Sequence, residues 1–346
     1  MSANEQEELE RILRPRASNA LVGHDAALAR AAYALRAGRP PQAWLIAGPP
    51  GIGKATFAYR LARYLLRYGA TTDGPADLSV NERDPVARQV AAGAHPGLLV
   101  LTRMLDEKGR LRTVLRVEEI RRLGGFFGLT SGAGGWRVAI VDSADDLNEN
   151  AANALLKALE EPPPRAMLLL LAHAPGRLLP TIRSRCQRLN LRPLDAGDMA
   201  KALDVLLPDS TREERQALIE FGEGSPGLAL RLSEEDGLEL AKEAQNLIEA
   251  AAAPDFVALY ALAERVGRTA DSLADFGAFL AQGLARRIRE RAARGGESQE
   301  SWVEAWEKIN SLYARTAGIH MEPRQTVIAS SAALRSAKRR QVEHQS

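Results

Sequence analysis

The segment Gly48-Pro49-Pro50-Gly51-Ile52-Gly53-Lys54 carries three glycines and a lysine at the spacing that lets a chain curl around phosphate oxygens. It follows the apolar run Ala43-Trp44-Leu45-Ile46-Ala47 and opens a helical pattern. In that context Gly48, Gly51 and Gly53 free backbone N–H groups to face a ligand, the helix start adds partial positive charge, and Lys54 reaches the outer phosphates. A site that turns over nucleotide has Ser or Thr next, because that hydroxyl coordinates Mg²⁺. Here the next residue is Ala55, and Thr56 comes one place late, rotated by roughly 100° on a helix. Gly48, Gly51, Gly53, Lys54, Ala55, Thr56 and Asp142 are the candidate nucleotide contacts, with ATP held but not efficiently hydrolysed. A glycine-rich strand-to-helix turn without a ligand accounts for the same residues.

Asp142 ends the run Val138-Ala139-Ile140-Val141-Asp142, at the carboxyl end of a strand, where ligands gather in parallel sheets. Hydrolysis needs a further carboxylate beside it to polarise the attacking water. The following residues are Ser143, Ala144 and Asp145, and a serine hydroxyl is no general base near neutral pH without help. Asp142 and Asp145 also suit the role of solvated helix-capping acids. Two impaired parts, the hydroxyl after Lys54 and the acid after Asp142, suggest a retired catalytic site.

A second cationic candidate lies in Leu179-Pro180-Thr181-Ile182-Arg183-Ser184-Arg185-Cys186. A guanidinium is always charged and presents five donors, which suits the charge that develops on a transferring phosphoryl group. By residue type alone, Arg183 and Arg185 are equally ordinary surface ion-pair residues, and Cys186 a small buried hydrophobe.

The elements that must position these groups read as alternating short apolar runs and helical patterns, the signature of a parallel α/β sheet flanked by helices. Strands are expected at residues 43–47, 98–101, 137–142 and 167–171. Helices are expected at 55–68, with Phe57, Leu61, Tyr64 and Leu65 on one face, at 117–127, and at 148–159, where Pro162-Pro163-Pro164 stops the chain. Residues 69–96 look like an irregular insertion. Beyond residue 192 the strand signals fade. Three short helices at 196–207, 211–221 and 226–232 suffice for a small lid, and the pattern is helical from 237 onward. Trp302, Trp306, Ile309 and Tyr313 recur at helical spacing and mark one buried face.

A chain of 346 residues exceeds one ordinary core, so two or three domains are expected. The formal net charge of +2 is too even to announce nucleic-acid binding. The stretch Arg286-Arg287-x-Arg289-x-Arg291 reads as a solvated helix face or, less simply, as a phosphate contact. No run approaches eighteen apolar residues, the N-terminus lacks the pattern of a signal peptide, and the single cysteine excludes a disulfide framework. A cytoplasmic protein without membrane association is expected.

The string Asn153-Ala154-Leu155-Leu156-Lys157-Ala158-Leu159-Glu160-Glu161-Pro162-Pro163, together with Ser184-Arg185-Cys186, resembles the clamp-loader branch of AAA+ proteins, and within it the subunits that do not turn over ATP themselves. A generic amphipathic helix would explain the stripe of Ala152, Leu155, Leu156 and Leu159, though not the whole string. The resemblance implies an AAA+ P-loop domain at residues 1–192, a helical lid at 193–236 and an all-α C-terminal collar at 237–346 that holds a ring together. It implies that Arg185 is donated in trans to the ATP of a neighbouring subunit. The implied partners are the gamma or tau and delta subunits of bacterial DNA polymerase III and, through them, the sliding clamp and primed DNA. Leu21-Val22-Gly23-His24-Asp25 looks like the box near the adenine. His173 occupies the neighbourhood of a polar sensor of nucleotide, a place where a satisfied capping histidine fits as well. Gly227 and Leu228 stand where active members carry a lid arginine, a third missing catalytic element. Relatives often bear a four-cysteine zinc module after the phosphate-loop helix. The matching segment here has no cysteine, and His95 alone cannot hold zinc, so no zinc is expected. The competing expectation is a self-sufficient AAA+ ATPase, either a motor clamp-loader subunit or a DNA-remodelling helicase.

Overall fold

Strands covered on both faces are apolar at consecutive rather than alternate positions. In the computed structural model β1 (Ala43–Ala47) and β4 (Ala166–Ala172) are buried at every residue. They are joined by β2 (Leu98–Thr102), β3 (Arg137–Asp142) and β5 (Gln187–Asn190) in a parallel sheet of order β2-β3-β4-β1-β5. The structure describes residues 15–38, 40–103, 114–128, 135–234, 236–294, 299–318 and 322–343. It divides into two compact units, Met1–Leu230 and Arg231–Ser346.

In the first unit, successive strand residues feed two different cores, as the two-residue period of a strand requires. Trp44, Ile46, Val138, Ile140, Leu169 and Leu171 pack with α1 (Asp25–Arg36) and α2 (Lys54–Tyr68). Ala43, Leu45, Ala139, Val141, Leu168 and Leu170 pack with α4 (Val117–Gly128), α5 (Glu149–Glu160) and the short α6 (Pro180–Arg185). The expected stripe on α2 is buried throughout. On α5 the stripe is shifted: Ala151, Ala152, Leu155 and Leu159 are buried, and Leu156 is only half-buried.

Two elements depart from the sequence pattern. The segment 69–96, expected to be irregular, contains α3 (Pro85–Ala91), where Asp84 accepts from the Val86 N–H at 2.8 Å and Pro85 starts the helix. The sheet gains the unexpected β5. It is short and polar, and of its residues only Leu189 is buried, so its apolar signal is too weak to register. Three helices follow: α7 (Ala196–Leu206), α8 (Arg212–Phe221) and α9 (Pro226–Ser233). The Thr211–Glu214 capping box sets the start of α8.

The described residues of the second unit form α10 (Gly237–Glu249), α11 (Phe256–Val266), α12 (Ala270–Arg294), α13 (Glu300–Gly318) and α14 (Pro323–Glu343). Trp302 and Ile309 are fully buried, but Trp306 is 37% exposed, so the expected buried face of α13 is interrupted at one turn. The Arg287 guanidinium lies 4.8 Å above the Trp302 ring, and Arg286 donates to Gln245 at 2.7 Å. These two arginines are therefore used within the unit, not turned wholly to solvent. No helix among the described residues is long and apolar enough to cross a membrane.

Candidate nucleotide-binding site

The sheet register places the carboxyl ends of three strands side by side, with Ala47 opposite Ala172 and Leu171 opposite Asp142. The loop after β1, the acid that ends β3 and the histidine after β4 therefore meet at one edge, the usual place for a ligand in an open α/β sheet. Gly51, Gly53, Lys54, Ala55, Thr56 and Asp142 line a cavity of about 260 Å³ there, with His173 beside them. Its remaining wall is mostly apolar, and includes Leu21, Val22, Ala202, Leu206 and Pro226. Gly48 is not part of the lining. It packs under the loop, where an added Cβ would lie 2.6 Å from the Leu191 carbonyl oxygen. Gly51 and Gly53 have φ of +72° and +99°, the left-handed conformation that side chains disfavour.

Lys54 is buried and uses all three ammonium donors inside the protein. Nζ lies 2.7 Å from Gly48 O, from Pro49 O and from His173 Nδ1. Burial lowers its pKa to about 8, against the opposing pull of Asp142 and Asp145. With Lys54 charged, Nδ1 of His173 must accept, which leaves its Nε2–H to donate to Ser143 Oγ at 2.9 Å. Ser143 in turn donates to Asp142 Oδ1 at 3.2 Å. Partial burial of the ring, and then the Lys54 charge, hold the His173 pKa below its usual value, although part of the residue stays exposed.

The residue types identify the loop, but the histidine's position between Lys54 and Ser143 is visible only once the strands are aligned. Asp145 is likewise not the solvated acid suggested by its sequence. It is buried, and its Oδ2 accepts from the backbone N–H groups of His173 at 3.0 Å and Ala174 at 2.7 Å, fixing the turn after β4. His24 is also buried, and its Nε2–H donates to Ile52 O at 2.8 Å, steadying the loop from behind. Arg63 was not apparent as a site residue. It is buried on α2 and donates to Arg16 O at 2.9 Å and Ser18 O at 2.7 Å, which pins the segment that carries Pro15 and Ser18 into the cavity wall.

The start of α9 closes the loop from the other side. Gly227 N–H donates to Gly51 O at 2.9 Å, and Ser225 Oγ–H donates to Pro50 O at 3.1 Å. A Cβ on Gly227 would lie 2.8 Å from Gly51 Cα. The residue at the expected arginine position is thus a glycine that brings backbone against backbone. In kind, the glycine loop, Lys54 and the apolar wall fit the phosphates and base of a nucleotide. The Mg²⁺ ligand set does not fit: Ala55 offers no oxygen, although Thr56 also reaches the lining. Among the described residues no cluster of His, Cys, Asp and Glu could hold a metal ion.

Arg185 is not brought to this cavity. It lies exposed at the end of α6, with Nη2 3.0 Å from Glu160 Oε1 and Nη1 3.1 Å from Thr181 O. Arg183 is exposed on the same short helix. Cys186 packs partly against the core beneath α5 and α6, and burial pushes its thiol pKa up to about 12, so it behaves as an apolar residue.

A parallel sheet of this order, with a glycine loop and lysine after β1, an acid ending β3 and a cap of short helices, defines an AAA+-type P-loop protein. A DNA polymerase III gamma subunit-related protein from Thermotoga maritima has the same fold, with a TM-score of 0.50 at 16% identity, covering 91% of this chain and all of that one. Residues 23–195 match the family described as "DNA polymerase III, delta subunit", and the chain belongs to that family. It is 39% identical over 190 residues to DNA polymerase III subunit delta' of Pseudomonas aeruginosa, covering 55% of each chain. Against subunit delta' of Escherichia coli it is 33% identical over 209 residues, covering 58% of this chain and 57% of that one. The chain spans about half the length of these curated relatives. It is also 31% identical over 231 residues to subunit tau of Escherichia coli, covering 66% of this chain and 34% of the relative.

Proposed function

We propose that this chain is a delta-prime subunit of a bacterial DNA polymerase III clamp loader, a ring member that hydrolyses no ATP itself and presents Arg185 to the ATP of a neighbour. The observation that carries this reading is the contrast between two cations. Lys54 is buried and committed to acceptors inside its own chain, whereas Arg185 is exposed, outside its own cavity, and held at the surface by an ion pair to Glu160 and a hydrogen bond to Thr181 O. In a phosphoryl transfer, a guanidinium supplied in trans stabilises charge on the γ-phosphate oxygens and is worth ~10³ to 10⁵ in rate. In this reading ATP can occupy the Lys54 cavity without efficient turnover, because Ser143 replaces the catalytic carboxylate and Gly227 replaces the lid arginine. Residues 193–236 act as the lid and 237–346 as the collar. The partners are gamma or tau and delta subunits, and through the assembly the sliding clamp and primed DNA.

The test is DNA-stimulated ATP turnover by a reconstituted loader containing either wild-type chain or Arg185→Ala. A large fall with assembly intact supports the trans role. One observation favours the alternative of a self-sufficient ATPase: the Thr56 hydroxyl is on a residue that lines the cavity. Hydrolysis of ATP by the isolated chain, abolished by Lys54→Ala, would establish that alternative and overturn the proposal.

A further inference from the structure

The Lys54 ammonium has three N–H donors and three acceptors at 2.7 Å, so a phosphate oxygen can reach Nζ only by displacing one of them. Gly48 O and Pro49 O belong to the loop itself. The third acceptor, His173 Nδ1, comes from a different strand end, 119 residues away in the chain. It is held from two sides. Ser143 Oγ receives the Nε2–H, and Asp145 Oδ2 takes the backbone N–H groups of both His173 and Ala174. Hydrogen bonds to an ionised carboxylate are shorter and stronger than neutral ones, so the turn that carries the imidazole is fixed. The ring therefore faces Lys54 in a set orientation.

We propose that His173 is a latch that competes with nucleotide phosphate for Lys54 and sets the affinity of this cavity. The inference deepens the nucleotide reading of the site and rests on it. His173 acts through the lysine and is a positioning residue, not a group that reacts. Removing the imidazole leaves one ammonium donor without its partner, directed into the space the ring vacates beside the loop, where a phosphate oxygen is the strongest replacement acceptor. Removing the Ser143 hydroxyl leaves the imidazole in place but loosens its orientation, so the effect has the same sign and is smaller.

Calorimetric titration of the full chain with ATP, and separately with inorganic tripolyphosphate, tests this. His173→Ala is expected to bind both about tenfold more tightly than wild type, and Ser143→Ala about threefold, on the scale of one charged hydrogen bond. Tripolyphosphate separates the lysine effect from contacts to the base. Ser143→Ala keeps the test available where His173→Ala fails to fold. If wild type binds, Lys54→Ala does not, and both latch variants bind equally or more weakly than wild type, the latch is overturned and the nucleotide site stands. If wild type and both latch variants bind neither ligand, the latch and the nucleotide reading fall together.

Discussion

Arg185 Nη2 lies 3.0 Å from Glu160 Oε1, an ion pair between the C-terminal end of α6 and that of α5. Both side chains are substantially exposed, at 38% and 50%, so water competes for each of them. Pairs of this kind contribute about 1 kcal/mol or less. The pair parks the guanidinium at the surface at little cost in releasing it. Glu160→Gln and Arg185→Ala should therefore each shift the denaturant midpoint by less than the equivalent of about 1 kcal/mol. If Arg185 acts in trans as proposed, Arg185→Ala in a reconstituted loader should still cut ATP turnover by ~10³ or more. A strongly destabilised Arg185→Ala chain would make the arginine structural and remove the argument for a role in trans.

Lys54 supplies a prediction about pH. Its pKa is lowered from 10.5 to about 8, chiefly by burial. Between these values the unfolded chain binds more protons at this position than the folded one, so stability rises with pH there. The penalty for burying the charge is complete below about pH 8 and is relieved as pH climbs toward 10.5. Lys54→Met has no titrating group at the site. The stability of wild type relative to Lys54→Met should improve by about 2 kcal/mol between pH 7.5 and 10, allowing for solvent at the cavity side. Chemical denaturation of both chains at the two pH values measures this difference, and the other titrating groups largely cancel. A flat difference would mean that Lys54 keeps its ordinary pKa.

The departures from the pattern of an ATP-hydrolysing site are legible residue by residue, because each is a residue type at a fixed distance from a glycine loop or a strand end. Ala55, Ser143 and Gly227 needed only counting. The groups gathered around Lys54 are not legible in this way. His173 is one polar residue after an apolar strand, and nothing near it in the chain announces Lys54. Only the pairing of β4 with β1 and β3 brings the three strand ends level. Edge elements fail for another reason. β5 buries one of its four residues, and α3 is a two-turn helix in a polar segment, so neither has an apolar period long enough to detect. Trp306 shows the converse limit: a helical repeat identifies a face, but whether the neighbouring helices cover all of it depends on where they cross.

Gly227 and Gly124 make a paired test of which glycines matter. A Cβ at Gly227 would meet backbone atoms of Gly51 at 2.8 and 2.9 Å, and those atoms cannot rotate away. The same contact carries the Gly227 N–H to Gly51 O bond. Gly227→Ala should cost about 1–3 kcal/mol, the usual penalty for overpacking, by forcing the start of α9 off the phosphate loop. Gly124 lies inside α4 with open space where its Cβ would be. Gly124→Ala should stabilise the chain by about 0.5–1 kcal/mol, because alanine restricts the unfolded chain and favours helix. Thermal unfolding of both variants checks the signs. Equal and small effects would mean that the Gly51–Gly227 contact is loose.

In the second unit Gly277 on α12 packs directly against the ring of Tyr313 on α13. A Cβ on Gly277 would lie 2.6 Å from Tyr313 Cε1 and Cγ, so the ring lies across the glycine and no side chain fits between the helices. The same pair of helices holds Trp302 beneath Arg287, so a shift of α13 would disturb both contacts. Gly277→Ala should destabilise the unit by about 2–3 kcal/mol. Tyr313→Leu removes the ring edge, and in that background the cost of Gly277→Ala should fall by at least about 1 kcal/mol, the coupling expected of residues in direct contact. Amide exchange of α12 and α13 in the four chains of this cycle reads the second unit without a contribution from the first. Additive effects would show that the alanine is accommodated by a shift of backbone elsewhere, and that Tyr313 does not set the distance between the helices.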